Sequence, residues 1–280
     1  MICERLMKSC TGETVTVRGA SPERRKMRVQ VLASVMNENP VELARRMRLE
    51  SEAVVINQCD RLGYEELKYG ECRLRFYSFP DRGVGRSRNE AIMRADGDIC
   101  LFSDGDIVYE PGYAEAIAAE FERRHDADMI LFNVTVEEKR RTYHITRRKR
   151  VHWYNCGRYG AVSFAVRRES LLSSGVTFSL LFGGGARYSA GEDSLFLKEF
   201  MDKGYSVYTA PVTIAREEAG ESTWFQGYNE KFFRDRGVLY RHLYGKLAGI
   251  MALRFLLVHR GTLCSGVTFR QAYHWMKDGE

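Results

Sequence analysis

Short apolar runs of strand length alternate along this chain with amphipathic segments of helical length, and that rhythm leaves few architectures open. Val29–Met36 is a strand candidate, and Pro40–Leu49 is helical, with Val41, Ala44, Arg45 and Arg48 at turn spacing and Pro40 suited to a first turn. Ala53–Asn57 and Leu74–Phe79 are further strands. Ser87–Ala95 is a short helix with Ala91, Ile92 and Ala95 on one face. Ile99–Phe102 is a continuous apolar run of the kind buried on both faces of a parallel sheet. Pro111–Arg124 reads as helix, Met129–Val134 and Gly160–Val166 as strands, Glu192–Lys203 as a helix stopped by Gly204, and Tyr205–Ala210 as the last clear strand. The order implies an α/β fold: a mostly parallel central sheet flanked by helices. Such sheets bind ligands outside the carboxyl ends of their strands.

Composition narrows the class without naming a function. At 280 residues, 44% apolar and 29% charged, the chain suits one globular α/β domain with appendages and excludes a mostly disordered one. The net charge of +6 suggests an anionic partner but does not single out nucleic acid. The seven cysteines are scattered with no CxxC, which points to free thiols in a reducing compartment. The first residues carry no apolar core segment of a signal peptide. The longest apolar segment, Leu247–Val258, contains Arg254 and is too short to span a bilayer. Residues 1–26 read as a polar arm, and after Trp224 the pattern turns helical and basic.

Three motifs sit where chemistry is expected. Of three Asp-x-Asp triplets, Asp96–Asp98 and Asp126–Asp128 precede strands and read as turns, whereas Asp104-Gly105-Asp106 directly follows the strand at Ile99. Two carboxylates at a strand's carboxyl end can hold Mg²⁺ or Mn²⁺ together with a substrate phosphate. Gly191-Glu192-Asp193-Ser194 opens a helix behind Gly183-Gly184-Gly185. A carboxylate there is a candidate general base, although acidic residues in a first turn are also favoured by the helix dipole alone. The loop from Asp81 to Asn89 holds Arg82, Arg86 and Arg88, which can meet phosphate oxygens or simply face solvent.

These segments taken in order (VQVLASVMNEN, AVVINQCD, FPDRGVGRSRNEAIMRADGDICLFSDGD, GEDSLFLKEF and STWF) closely resemble the family 2 glycosyltransferases of bacteria, over about Met27 to Lys277. The resemblance implies a GT-A fold in residues 27–222, with 223–280 as a basic amphipathic helical C-terminal extension. It implies an inverting transfer of a sugar from a nucleotide diphosphate donor, most often a UDP-sugar, to a hydroxyl of a glycan or lipid-linked acceptor in cell-surface polysaccharide synthesis. By the same resemblance Asp106 would touch a divalent metal, Mn²⁺ or Mg²⁺, and Asp104 the ribose or the metal. Ser34, Asn37, Asn57 and Asp60 would lie near the nucleotide base, and Arg86 and Arg88 would line the donor site. Asp193 would be the catalytic base with Glu192 beside it, and Trp224 and Gly184 would lie near the acceptor. The chain departs from many relatives in having Asn57-Gln58-Cys59-Asp60 after the second strand and no His between Ile214 and Trp224 as a further metal ligand.

Two basic regions carry the competing readings. Lys139–Arg150 interleaves Tyr143 and His144 with seven basic residues, which suits an exposed hairpin, anionic lipid or single-stranded nucleic acid. Lys246–Arg260 is cationic and amphipathic, fit either to lie in a membrane interface or to pack on the catalytic domain. The alternatives are therefore a non-catalytic nucleic-acid or anionic-lipid binder on an α/β scaffold, or a metal-dependent sugar nucleotidyltransferase. Neither accounts as well for Asp104, Asp106 and Asp193 together, and no nucleic-acid partner is expected. The location implied is the cytoplasm or the inner face of the plasma membrane.

Overall fold

The computed structural model describes residues 26–136, 143–218, 227–263 and 266–279. Among the described residues nine strands form one sheet in the order β3-β4-β2-β1-β5-β8-β7-β9-β6. They are β1 (Val29–Met36), β2 (Glu52–Gln58), β3 (Gly63–Tyr69), β4 (Cys72–Phe79), β5 (Ile99–Asp104), β6 (Ile107–Tyr109), β7 (Met129–Thr135), β8 (Phe164–Arg167) and β9 (Val207–Glu217). Neighbours from β4 through β2 and β1 to β5 are parallel, whereas β3, β6 and β8 join antiparallel.

The central strands are buried on both faces, so their sequences are apolar without a polar phase. In β1, Val31, Ala33 and Val35 enter one core and Leu32 the other; in β5, Ile99 and Leu101 oppose Cys100 and Phe102. Helices α1 (Pro40–Met47) and α3 (Tyr113–Arg123) cover the first face with Leu43, Met47, Ile117 and Phe121. Helices α2 (Val84–Arg94) and α5 (Glu192–Asp202) cover the second with Ala91, Ile92, Phe196 and Phe200. A short α4 (Arg168–Ser174) follows β8. Local signals set the ends of α1: the Asn39 side chain accepts from the N–H groups of Val41 and Glu42, Pro40 takes the first turn, and Arg48 closes the helix in the left-handed region at φ 54°.

The C-terminal residues form α6 (Glu230–Tyr244), α7 (Ala248–Val258), α8 (Arg260–Leu263) and α9 (Phe269–Asp278). Phe233, Ala252, Leu256, Leu263, Ala272 and Met276 make a small core of their own. Helices α6 and α9 meet at Gly237, where a Cβ would come within 2.0 Å of Met276 O, so only glycine permits this approach. The opposite side of α6 packs Val238, Leu239 and Leu243 around Phe182.

Several elements differ from the sequence reading. The strand β3 has no apolar alternation and was not anticipated. It is an exposed edge strand whose conformation is imposed by antiparallel pairing with β4. Residues 161–163 form a single 3-10 turn before β8 rather than strand, and β9 runs on to Glu217. Within Lys139–Arg150, residues 143–150 carry no strand beyond a bridge from Arg150 to Tyr208, and the rest of that basic stretch lies outside the described residues. Trp224 and the polar arm up to residue 25 also lie outside them.

Candidate active site

The parallel register brings four strand ends together. Ser34 of β1 sits opposite Asp104 of β5, Val35 opposite Asn57 of β2, and Asn57 opposite Ser78 of β4. Each chain leaves its strand at this edge, which is where an α/β sheet opens a crevice. Asn37, Glu38, Asn57, Cys59, Asp60 and Arg61 line a cleft of about 310 Å³ there. Asn57 shapes its wall by accepting from the Glu38 N–H at 3.0 Å. Asp60 is exposed and paired with Arg82 at 2.9 Å.

Arg88 is the hub of the site. It lies in the second turn of α2, and its side chain is 4% exposed. Nη2 donates to both carboxylate oxygens of Asp104, at 3.0 and 3.2 Å. Nη1 donates to Asp193 Oδ1 at 2.7 Å and to Glu192 Oε1 at 3.3 Å. The guanidinium also lies 5.2 Å from the Phe178 ring, and its Nε is buried without a partner. One buried cation thus faces three carboxylates, which holds it protonated at any attainable pH despite its burial. Arg86, two residues earlier, points elsewhere and pairs with Asp81 at 2.9 Å. The sequence reading left the three arginines of this loop open between phosphate oxygens and solvent, and the structure pairs Arg88 with carboxylates. The signal for this was present: Gly85, Arg88, Ala91 and Ile92 share the inward face of α2.

The acidic pair opens α5. Asp193 Oδ2 accepts from the Ala161 N–H at 2.9 Å, while about a quarter of the Asp193 side chain, 24%, stays open to solvent. Burial raises its pKa above the ordinary aspartate value, and Arg88 together with the Ala161 N–H opposes that rise. The Glu192 carboxyl is pushed up to about 7, first by burial and then by the charge of Asp193, with Arg88 pulling the other way. Two acidic groups on one cation at this spacing titrate as a pair.

The triglycine loop is tied into the same structure. Gly184 O accepts from the Val84 N–H at 3.2 Å, which anchors it to the start of α2. Gly183 has φ +104°, and a Cβ there would strike the Glu192 carboxyl carbon at 2.7 Å and Val84 Cγ1 at 2.9 Å. Asn89 clamps the preceding segment by donating to Phe178 O at 2.9 Å and accepting from its N–H at 2.7 Å.

The turn between the two aspartates is braced from α1: Arg46 Nη2 donates to Gly105 O at 3.1 Å. Asp106 is exposed. Among the described residues no three His, Cys, Asp or Glu side chains gather closely enough to hold a metal by themselves. An exposed carboxylate at an open strand end still suits a hard cation whose remaining ligands are water and a diphosphate.

One group of residues escaped the sequence reading. The 3-10 turn Cys156–Arg158 packs on α5, and the residues before it present Trp153 and Tyr154, 44% and 51% exposed, with the Trp153 ring 6.2 Å from that of Tyr244. Adjacent aromatics in a polar loop are the signal that could have marked them.

Comparison with known proteins agrees with this architecture. Residues 30–174, from β1 through α4, match the model described as Glycosyl transferase family 2. The match includes Arg88, Asp104 and Asp106 and stops before α5. A crystal structure of S. aureus TarS 1-349 in complex with UDP-GlcNAc superposes with TM-score 0.60 at 16% identity, covering 89% of this chain and 78% of that one. The complex of the same fragment with UDP gives 0.58 at 16% identity, over 89% and 78%. A structure of S. aureus TarS gives 0.58 at 15% identity, over 88% of this chain and 46% of that one. No curated protein matches the chain. The superpositions show a shared GT-A fold, and the match over more than half of the sequence shows the family: the chain belongs to glycosyl transferase family 2 and is a glycosyltransferase.

Proposed function

We propose that the enzyme moves a sugar from a UDP-sugar to a hydroxyl of a glycan or lipid-linked acceptor, with inversion at the anomeric carbon and Asp193 as the base. The observation that carries this reading is the joining of Asp104 and Asp193 through one guanidinium, which holds the strand-end carboxylate on Nη2 and the α5 carboxylate on Nη1. The cleft by Asn37, Asn57 and Asp60 supports a base and ribose site, and the resemblance assigns Ser34 and Arg86 to the same donor side. The UDP and UDP-GlcNAc complexes of S. aureus TarS support uracil as the base.

In the reaction the acceptor oxygen forms its bond to the anomeric carbon from the face away from the diphosphate. The bond from that carbon to the diphosphate oxygen breaks, and the nucleoside diphosphate leaves with the electron pair. Asp193 takes the hydroxyl proton as the new bond forms, which its open edge permits. The Ala161 N–H and Arg88 hold the carboxylate ionised and aimed, so little reorganisation accompanies proton transfer. Glu192 shares the proton load of the pair and keeps Arg88 in place. Asp106, with Asp104, would hold Mn²⁺ or Mg²⁺ on the diphosphate, where such an ion neutralises the charge of the leaving group. The resemblance assigns Gly184 and Trp224 to the acceptor side, and the exposed Trp153 and Tyr154 rings are further candidates for acceptor contact.

Thermal unfolding with UDP, GDP, CDP, TDP and ADP, each with and without Mn²⁺, tests the donor assignment. A native-state ligand raises the melting temperature according to its occupancy. The expected result is a shift with UDP that Mn²⁺ enlarges and Asp106→Ala diminishes. No shift with any nucleotide would remove the donor site. Release of UDP during turnover, rather than pyrophosphate, separates sugar transfer from nucleotidyl transfer.

A further inference from the structure

Helix α7 buries only a narrow face. Ala252 and Leu256 are buried against α6 and α9, with Met251 and Phe255 partly covered. Its outward positions 250, 253, 254, 257 and 258 form one stripe at helical spacing. Ile250, Leu253, Leu257 and Val258 occupy four of them and are 66%, 40%, 59% and 66% exposed, and Leu247 just before the helix is 44% exposed. A helix that is apolar on both sides needs a second apolar neighbour, and among the described residues none covers this outer side.

The charge around the stripe says what kind of neighbour fits. All seven charged residues from Arg236 to Lys277 are Lys or Arg, an excess larger than the net +6 of the whole chain. Lys246, Arg254 and Arg260 are exposed before, within and just after the stripe. A second copy of this chain would bring like charges face to face, whereas an anionic bilayer offers apolar depth and negative headgroups at the same place. Among the described residues no helix is long and apolar enough to cross a membrane, so α7 would lie in the interface plane. We propose that the exposed face of α7 docks this protein on anionic phospholipid bilayers, with Ile250, Leu253, Leu257 and Val258 in the acyl boundary and Lys246, Arg254 and Arg260 among the headgroups.

Co-sedimentation of the full chain with vesicles tests this. One set is pure phosphatidylcholine and the other contains phosphatidylglycerol at a substantial fraction. Binding is expected to anionic vesicles, weakened by salt, and much weaker on the neutral ones. Each basic side chain near the surface contributes roughly fivefold to partitioning. The Arg254→Gln/Arg260→Gln variant is therefore expected to lose roughly twentyfold or more on anionic vesicles. The Ile250→Glu/Leu257→Glu variant changes only exposed positions, is expected to keep the wild-type melting temperature and UDP response, and is expected to lose binding to both vesicle types. No binding of the wild-type chain to anionic vesicles would overturn the proposal, as would binding that both variants retain. A concentration-dependent dimer that Ile250→Glu/Leu257→Glu abolishes, without vesicle binding by the wild type, would assign the face to a second copy and overturn it equally.

Discussion

Arg88 Nη1 lies 2.7 Å from Asp193 Oδ1 while Nη2 of the same guanidinium chelates Asp104, so one buried cation couples the start of α5 to the end of β5. Three carboxylates drawn from two motifs far apart in sequence are compatible with one another only because this cation stands between them. Arg88→Met leaves Glu192 buried and Asp193 and Asp104 partly buried, facing one another without a counter-charge. Loss of one partner from a buried charge cluster costs about 3–5 kcal/mol, so the expected result is a markedly lower melting temperature together with loss of transfer. Arg88→Lys restores charge but not the fork, and should recover stability more than turnover, as thermal unfolding and UDP release would show.

Asp193→Asn keeps the shape of the α5 start and removes the base. Turnover is expected to fall by about 10²–10⁴-fold, while the UDP-induced thermal shift stays. Unchanged turnover would sink the base assignment.

The acid limb of the rate should lie higher than for an ordinary aspartate. Asp193 and Glu192 are both raised by burial, Glu192 to about 7, and the base acts only when deprotonated. The rate is expected to climb as pH rises toward neutrality, and Glu192→Gln should move that limb down by removing the neighbouring charge. Stability runs the other way. The folded state holds the Glu192 proton more tightly than the unfolded chain does. This contribution is complete below the ordinary value of 4.5 and is lost as pH rises through about 7. Denaturant titrations at pH 5 and pH 8 should show the wild type losing stability relative to Glu192→Gln.

Gly183→Ala should disturb the site through the backbone. Its φ of +104° is strained for any L side chain, and the added methyl meets the Glu192 carboxyl. The expected cost is about 1–3 kcal/mol, read as a lower melting temperature, with a fall in kcat because Glu192 must shift.

Much of this was legible in the residues themselves. The strands at Val29, Glu52 and Ile99 are buried on both faces and therefore read as unbroken apolar runs. The placement of Asp104 and Asp193 followed from strand and helix ends. Edge strand β3 was invisible because Glu65, Glu66 and Lys68 face water and only its partner imposes extension. The partners of Arg88 were hidden for another reason: the helical face marks Arg88 as the inward arginine, but contacts spanning 16 and 105 residues are set by tertiary packing, and no local pattern encodes which carboxylates it meets. The outward stripe of α7 was visible as amphipathicity, but which of its two apolar sides the protein would cover was not.

Helix α6 touches both ends of the molecule's work. Its Leu239 lies against Gly191, at the residue before Glu192, where a Cβ would come within 2.6 Å of that leucine. Its Asp235 accepts from the N–H and Oγ of Ser189, and its Phe233 is seated in the C-terminal core. The acidic pair therefore rests on a keel supplied by the last fifty residues. Cutting the chain before α6 would not trim an accessory; it would pull the footing from under the base.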